Sequence, residues 1–213
     1  MTVTDVNVVK SAIFERPDDA NKGTLGSLLC VCGSYGMAGA AVMSAKGALR
    51  TGIGLAKCAL PRSIYPIVAQ TILESVYYPL SENADGRISK VNVPFLVSES
   101  CKSSATLVGC GLGVCDDTLK IVFSLIENST TPLVLDADAL NCVAKQPEIL
   151  LRKKAPIIIT PHPGEMSRLT GLATPLVNAE RERVALDFAQ KYGVVTVLKG
   201  AGTVIASPNG KVL

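Results

Sequence analysis

The most specific cluster in the sequence is Thr160-Pro161-His162-Pro163-Gly164-Glu165, which contains the only histidine of the chain. Prolines on both sides fix the backbone around the imidazole. Glu165 falls where an acid suits the first turn of a helix. A histidine held this way can orient a polar ligand; a structural histidine with satisfied partners is the alternative. Asp136 and Asp138 lie in Asp136-Ala137-Asp138-Ala139-Leu140-Asn141, where two carboxylates can hold Mg2+ through water or orient a hydroxyl. Asp138 reads equally well as the cap of the next helix, so Asp136 is the better functional candidate. Two glycine-rich runs, Gly33-Ser34-Tyr35-Gly36-Met37-Ala38-Gly39-Ala40 and Gly109-Cys110-Gly111-Leu112-Gly113, allow backbone N–H groups to approach an anion at a helix start. The first lacks the Gly-Lys-Ser/Thr ending of a P-loop, and a tight turn is its alternative reading. The second invites a dinucleotide-binding reading, because Asp136 ends the next strand. Its third glycine falls one position early, however, with Val114 in the expected place, and it lies mid-chain. The dehydrogenase reading is therefore set aside, and phosphate handling is what these loops share.

Such residues need a frame. Short apolar runs over 27–32, 54–60, 105–109, 132–136, 156–160 and 194–198 lack polar alternation, as strands covered on both faces do. Between them the pattern predicts helices over 37–50, rich in small residues, 116–127, and 180–192, the last with Asn178 as N-cap. Strands alternating with helices predict an α/β fold with a mostly parallel sheet, helices on both faces and right-handed crossovers. The chemical residues then fall past the carboxyl ends of strands, at one sheet edge. Residues 203–207, Pro208-Asn209-Gly210 and residues 211–213 predict a hairpin and so an antiparallel edge.

A length of 213 residues is expected to form one domain over 1–213. Apolar residues make up 48% and charged residues 18%, which excludes a disordered chain. No apolar run approaches the roughly 20 residues of a membrane span. Asp5, Glu15, Asp18 and Asp19 near the start predict no signal peptide. The net charge of +3 comes with no dense basic cluster, and there is no tryptophan, so nucleic-acid binding is not expected. The longest basic run, Arg152-Lys153-Lys154, reads as a solvated helix end. Seven cysteines, an odd number with no CxxC, predict free thiols in a reducing cytoplasm.

The motifs and their order resemble the ADP/ATP-dependent NAD(P)H-hydrate dehydratase family, which has a ribokinase-like fold. The resemblance starts at Lys22-Gly23-Thr24-Leu25-Gly26 and runs through Gly33-Ser34, Gly39-Ala40-Ala41, the 109–113 run, Leu135 to Asn141 and the 160–165 cluster. It closes on Leu198-Lys199-Gly200-Ala201-Gly202-Thr203-Val204. It implies repair of hydrated NADH or NADPH: ADP or ATP phosphorylates the ring hydroxyl of the S-epimer, and the ring nitrogen's lone pair assists loss of phosphate. It also implies Mg2+ to offset charge and a carboxylate to take the hydroxyl proton. By matching motif, Ala40, Gly111 and His162 would contact the hydrated dinucleotide. Lys199, Gly200, Ala201, Gly202 and Thr203 would line the nucleotide site, with Asp136 near the phosphates or metal.

The sequence departs from the family pattern in two places. Many family members have His before the Lys-Gly pair, where this chain has Asn21, and a change near the site entrance is expected. The family continues past the final hairpin into a Gly-Thr-Gly-Asp loop that supplies an anion hole and the catalytic base; no such motif occurs here. The catalytic Asp is thus expected beyond Leu213, and an unfinished edge predicts association, as a homo-oligomer. The alternatives are a ribokinase-like small-molecule kinase and a non-catalytic nucleotide binder.

Overall fold

A computed structural model describes residues 17–213; Asp5 and Glu15 lie outside the described residues. The strands are β1 (Ser27–Val31), β2 (Leu55–Pro61), β3 (Val76–Leu80), β4 (Ala105–Val108), β5 (Leu133–Leu135), β6 (Ile157–Ile159), β7 (Val195–Leu198) and β8 (Val204–Ala206). They form one sheet in the order β3-β2-β1-β4-β5-β6-β7-β8. β1 to β7 pair in parallel, and β8 runs antiparallel to β7. The predicted final turn is present: Ser207 N–H donates to the Lys211 carbonyl at 2.9 Å, and Val212 bridges back to Ala206. The strand order reverses direction between β1 and β4, which makes that boundary the switch point where such sheets open a ligand crevice.

The helices are α1 (Ala38–Arg50), α2 (Tyr65–Ala69), α3 (Val93–Cys101), α4 (Asp116–Asn128), α5 (Asp138–Val143), α6 (Pro163–Thr170), α7 (Thr174–Ala179) and α8 (Arg181–Tyr192). Leu29 and Val31 face the larger core, shared with Ile121, Val122, Leu125 and Ile126 of α4. The alternate residues Cys30 and Cys32 face a smaller core with Ala41 and Ala45 of α1, Ala56, Cys58 and Leu60. Small side chains on both sides let α1 lie close to the sheet. On that same side of the sheet, Leu107, Val134 and Val197 are half-buried and Ile158 is exposed.

The predicted apolar stripe of α8 is buried through Val184, Ala185, Phe188, Ala189 and Tyr192, and Gly193 ends the helix at φ 62°. Its N-cap differs from the expectation. Asn178 lies inside α7, and Glu180 takes the cap position without a side-chain cap bond. A short helix, with Pro175 in its first turn, precedes α8. Of the basic run, Arg152 and Lys154 are exposed, but Lys153 is half-buried and donates to the Tyr192 carbonyl at 2.7 Å.

Gly47 sits exposed within α1, and a Cβ there would meet nothing within 4 Å. Gly47→Ala is expected to stabilise the chain by about 0.5–1 kcal/mol, since glycine leaves the helix interior more freedom to lose. A thermal melt that moves downward would contradict this.

Candidate functional site

The loops after β1 and β4 are tied directly together. Gly33 N–H donates to the Cys110 carbonyl at 2.8 Å, and the buried Ser34 hydroxyl donates to the Gly111 carbonyl at 2.8 Å. A Cβ on Gly111 would stand 2.7 Å from Ala40 Cβ. Two of the three predicted substrate-contacting residues are thus brought into contact, and Gly111 must be glycine for it. A cavity of about 530 Å3 opens here, lined among others by Ala40, Ser44, Leu107, Cys110, Asp136 and Thr160.

Asp136 joins four loops. Its Oδ1 accepts from Lys199 Nζ at 2.6 Å and from the Thr160 hydroxyl at 2.6 Å, while the Cys110 thiol lies 3.4 Å from Oδ2. Lys199 N–H further donates to the Pro161 carbonyl at 2.8 Å, joining the loops after β6 and β7. Burial alone would raise the Asp136 carboxyl. The bonds from Lys199 and Thr160, the Lys199 charge and the Cys110 thiol outweigh it and hold the carboxyl below its ordinary value.

A carboxyl with a lower pKa in the folded chain stabilises the fold fully above its unfolded value of about 3.9. That contribution is lost as pH falls through the lower folded value. The wild-type chain is therefore expected to lose more stability below about pH 4 than Asp136→Asn does. Urea midpoints across that range measure this, and parallel losses in the two proteins would refute it.

Asp138 does not cap α5. Ala137 holds the cap position, at φ 50° and ψ −115°. Asp138 Oδ2 instead accepts the Gly113 N–H at 2.8 Å, and Oδ1 accepts from Asn141 Nδ2 at 3.2 Å. Asn141 in turn accepts from Arg168 Nε of α6 at 2.8 Å. Asp138 thereby shapes the 109–113 loop and shares no hydrogen-bond partner with Asp136. No group of three metal-ligating side chains occurs among the described residues. Their arrangement fits Mg2+ only as an ion carried on nucleotide phosphates, with Asp136 nearby, rather than a resident ion in a protein cage.

His162 caps α6. Its Nδ1 accepts from Gly164 N–H at 3.0 Å and Glu165 N–H at 3.4 Å, and Glu165 Oε2 accepts the His162 N–H at 2.8 Å. With Nδ1 accepting, the ring proton sits on Nε2. The side chain is half exposed at the same sheet edge as Ala40 and Asp136. The Lys22 and Asn21 turn lies elsewhere. Asn21 Oδ1 accepts from Gly23 N–H at 2.8 Å, and a Cβ on Gly54 would stand 2.0 Å from the Lys22 carbonyl, just before β2 begins. That is the amino edge of the sheet, opposite the loops, so the change expected near the site entrance is not found; Asn21 builds a turn there.

Loop 199–203 is closed by Gly200 N–H on Thr203 Oγ1 at 3.3 Å and by the Thr203 hydroxyl on the Gly200 carbonyl at 3.1 Å. Thr160 and Ser34 belong to the quoted motifs but were given no role of their own there. Thr160 stands at the strand end beside Pro161, as the first residue of the 160–165 cluster.

A parallel sheet with one antiparallel edge strand and glycine-rich loops along its carboxyl edge is the architecture of ribokinase-like proteins, whose solved members it matches. The chain belongs to the NAD(P)H-hydrate dehydratase family, whose model matches residues 28–213. It is 39% identical over 196 residues to the bifunctional NAD(P)H-hydrate repair enzyme Nnr of Thermofilum pendens, covering 92% of this chain and 37% of that protein. It is 32% identical to the ADP-dependent (S)-NAD(P)H-hydrate dehydratase of Neisseria meningitidis, covering 92% of this chain and 63% of that one. The Bacillus subtilis ADP/ATP-dependent NAD(P)H-hydrate dehydratase, co-crystallized with ATP/Mg2+, superposes with a TM-score of 0.79 at 29% identity, over 97% of this chain and 69% of that one. The chain therefore spans from a little over a third to about two thirds of the length of these relatives.

Proposed function

We propose that this chain serves the ADP- or ATP-dependent dehydration of the S-epimer of hydrated NADH or NADPH, restoring the reduced dinucleotide. The carrying observation is Asp136. One carboxylate joins Lys199, on the loop assigned to the nucleotide, to the cavity where Ala40 and Gly111 meet. In this reading Ala40, Gly111 and His162 hold the hydrated dinucleotide. Lys199, Gly200, Ala201, Gly202 and Thr203 hold the adenine nucleotide, and Asp136 keeps the Lys199 ammonium at the boundary between them. Mg2+ bound to the nucleotide supplies charge neutralisation on the transferring phosphoryl group.

None of these loop carboxylates is proposed as the base that takes the hydroxyl proton. Asp136 is engaged by Lys199 and Thr160, Asp138 by Gly113 and Asn141, and Glu165 by the His162 N–H. The seven cysteines are free, which supports a reducing, cytoplasmic setting. Among the described residues no helix is long and apolar enough to cross a membrane.

The test is to supply hydrated NADH, ADP or ATP and Mg2+ while following the reduced-nicotinamide absorbance and the binding of each ligand. Regenerated NADH supports the full reading. Saturable binding without turnover reduces this chain to a binder, and a stable phosphorylated product points to a kinase. Absence of binding by both ligands ends the proposal. We also propose self-association through the side of the sheet where Val197 is half-buried and Ile158 exposed. Sedimentation is expected to show mass rising with concentration, and a monomer throughout would rule it out.

A further inference from the structure

Arg181 stands at the first position of α8, where the helix dipole favours an acid. Its neighbour Arg183 pairs with Glu180 and Asp187. Arg181 has no carboxylate partner among the described residues. Its Nη2 instead donates to the Leu198 carbonyl, at the end of β7, at 2.7 Å. Its Nε is buried with no hydrogen-bond partner. A Cβ on Gly200 would stand 2.8, 3.0 and 3.1 Å from Nη2, Nη1 and Cζ. Both terminal nitrogens are nearer than Cζ, so the Nη edge of the guanidinium lies against Gly200. Arg181 also lines, with Ala201, Gly202 and Val204, an open groove of about 770 Å3. The N–H groups of Ala201, Gly202 and Thr203 have no protein acceptor among the described residues.

We propose that Arg181 is a positioning residue for the phosphates of the adenine nucleotide, a role that rests on the nucleotide reading of loop 199–203. The guanidinium pins the end of β7 through Leu198 and supports Gly200 from beneath. The free N–H groups of the loop are thereby held as an anion cradle. Its charge, with that of Arg183, offsets Glu180 and Glu182 in the same groove and favours an anion beside the loop. A planar fork suits both tasks, and an ammonium on a flexible stem suits only the second.

Titration calorimetry of the 213-residue chain with ADP, and with adenosine as the uncharged probe, tests this. Arg181→Met is expected to weaken ADP binding about tenfold or more while adenosine binding changes less than about twofold; Arg181→Lys recovers only part of the loss. Equal weakening of both ligands would reduce Arg181 to a structural residue and overturn the proposal, as would unchanged ADP affinity in both variants. A wild-type chain that binds no ADP overturns the nucleotide reading itself, and this role with it. Should the variants fail to fold, the Nε–H resonance of Arg181 in the unaltered chain is the second measurement. It is expected to shift as ADP saturates the site, and a stationary resonance at saturation overturns the role.

Discussion

Replacing Gly109 with alanine is expected to cost about 4 kcal/mol or more, among the largest losses a single substitution gives. Gly109 has φ 125°, and a Cβ there would stand 1.9 Å from the Asp136 carbonyl and 2.7 Å from the Ala139 N–H nitrogen. Both obstacles are backbone, so neither can swing aside. The backbone there is already under load: Ala137, between the two aspartates, is the single non-glycine residue at positive φ among those described. Such conformations cost about 1–3 kcal/mol and persist when the surroundings fix them. The contact with Gly109 is part of what fixes Ala137, because Asp138 N–H donates to the Gly109 carbonyl at 3.3 Å. In a chain of this size about 4 kcal/mol corresponds to a fall in melting temperature of roughly 8–16 °C. A Gly109→Ala protein melting within about 3 °C of wild type would show that the two loops separate freely.

Lys199→Met is expected to have the largest effect on ligand binding. The ammonium is held by Asp136 at 2.6 Å while the rest of its loop turns toward the groove. Hydrogen bonds to charged groups contribute about 1.5–3 kcal/mol, so losing the one an ammonium gives a phosphate weakens ADP binding about tenfold to a hundredfold. Adenosine, which offers no phosphate, is expected to bind the variant as it binds wild type. Methionine also leaves Asp136 half-buried and without its cation, so its carboxyl is expected to titrate upward, which carbon-13 NMR of the side chain would detect. A folded Lys199→Met chain with ADP affinity within about threefold of wild type would remove Lys199 from the nucleotide site.

How much of this was legible in the sequence depended on the range of the interaction. The runs over 105–109 and 132–136 sit within a residue of β4 and β5, because a strand covered on both faces writes its burial as uninterrupted apolar residues. β3 escaped notice: its outer residues Val76 and Pro79 are exposed, as befits an edge strand that tolerates proline. α3 was hidden by its opening Asn92-Val93-Pro94, which reads as a break until proline is seen at a helix start. Asp136 was found from its place at a strand end. Its clasp with Thr160 and Lys199 spans 24 and 63 residues, and no local pattern encodes such a meeting. Asp138 shows the same limit. Local spacing made it a helix cap, whereas its partner is the amide of Gly113, 25 residues away.

The strand order has a metric consequence for the two ligands. Neighbouring strands stand about 4.8 Å apart, and the loops carrying Gly111 and Lys199 follow β4 and β7, three places apart. The sheet thus acts as a ruler that sets these anchors roughly 14 Å from each other. Asp136, after β5, falls between the marks. On the proposed reading, hydrated dinucleotide and phosphoryl donor would lie end to end along the carboxyl edge, their reacting groups meeting over the interval from β5 to β6. Loops can lengthen or shift without moving those marks, and only a change in strand number or register would alter the gap.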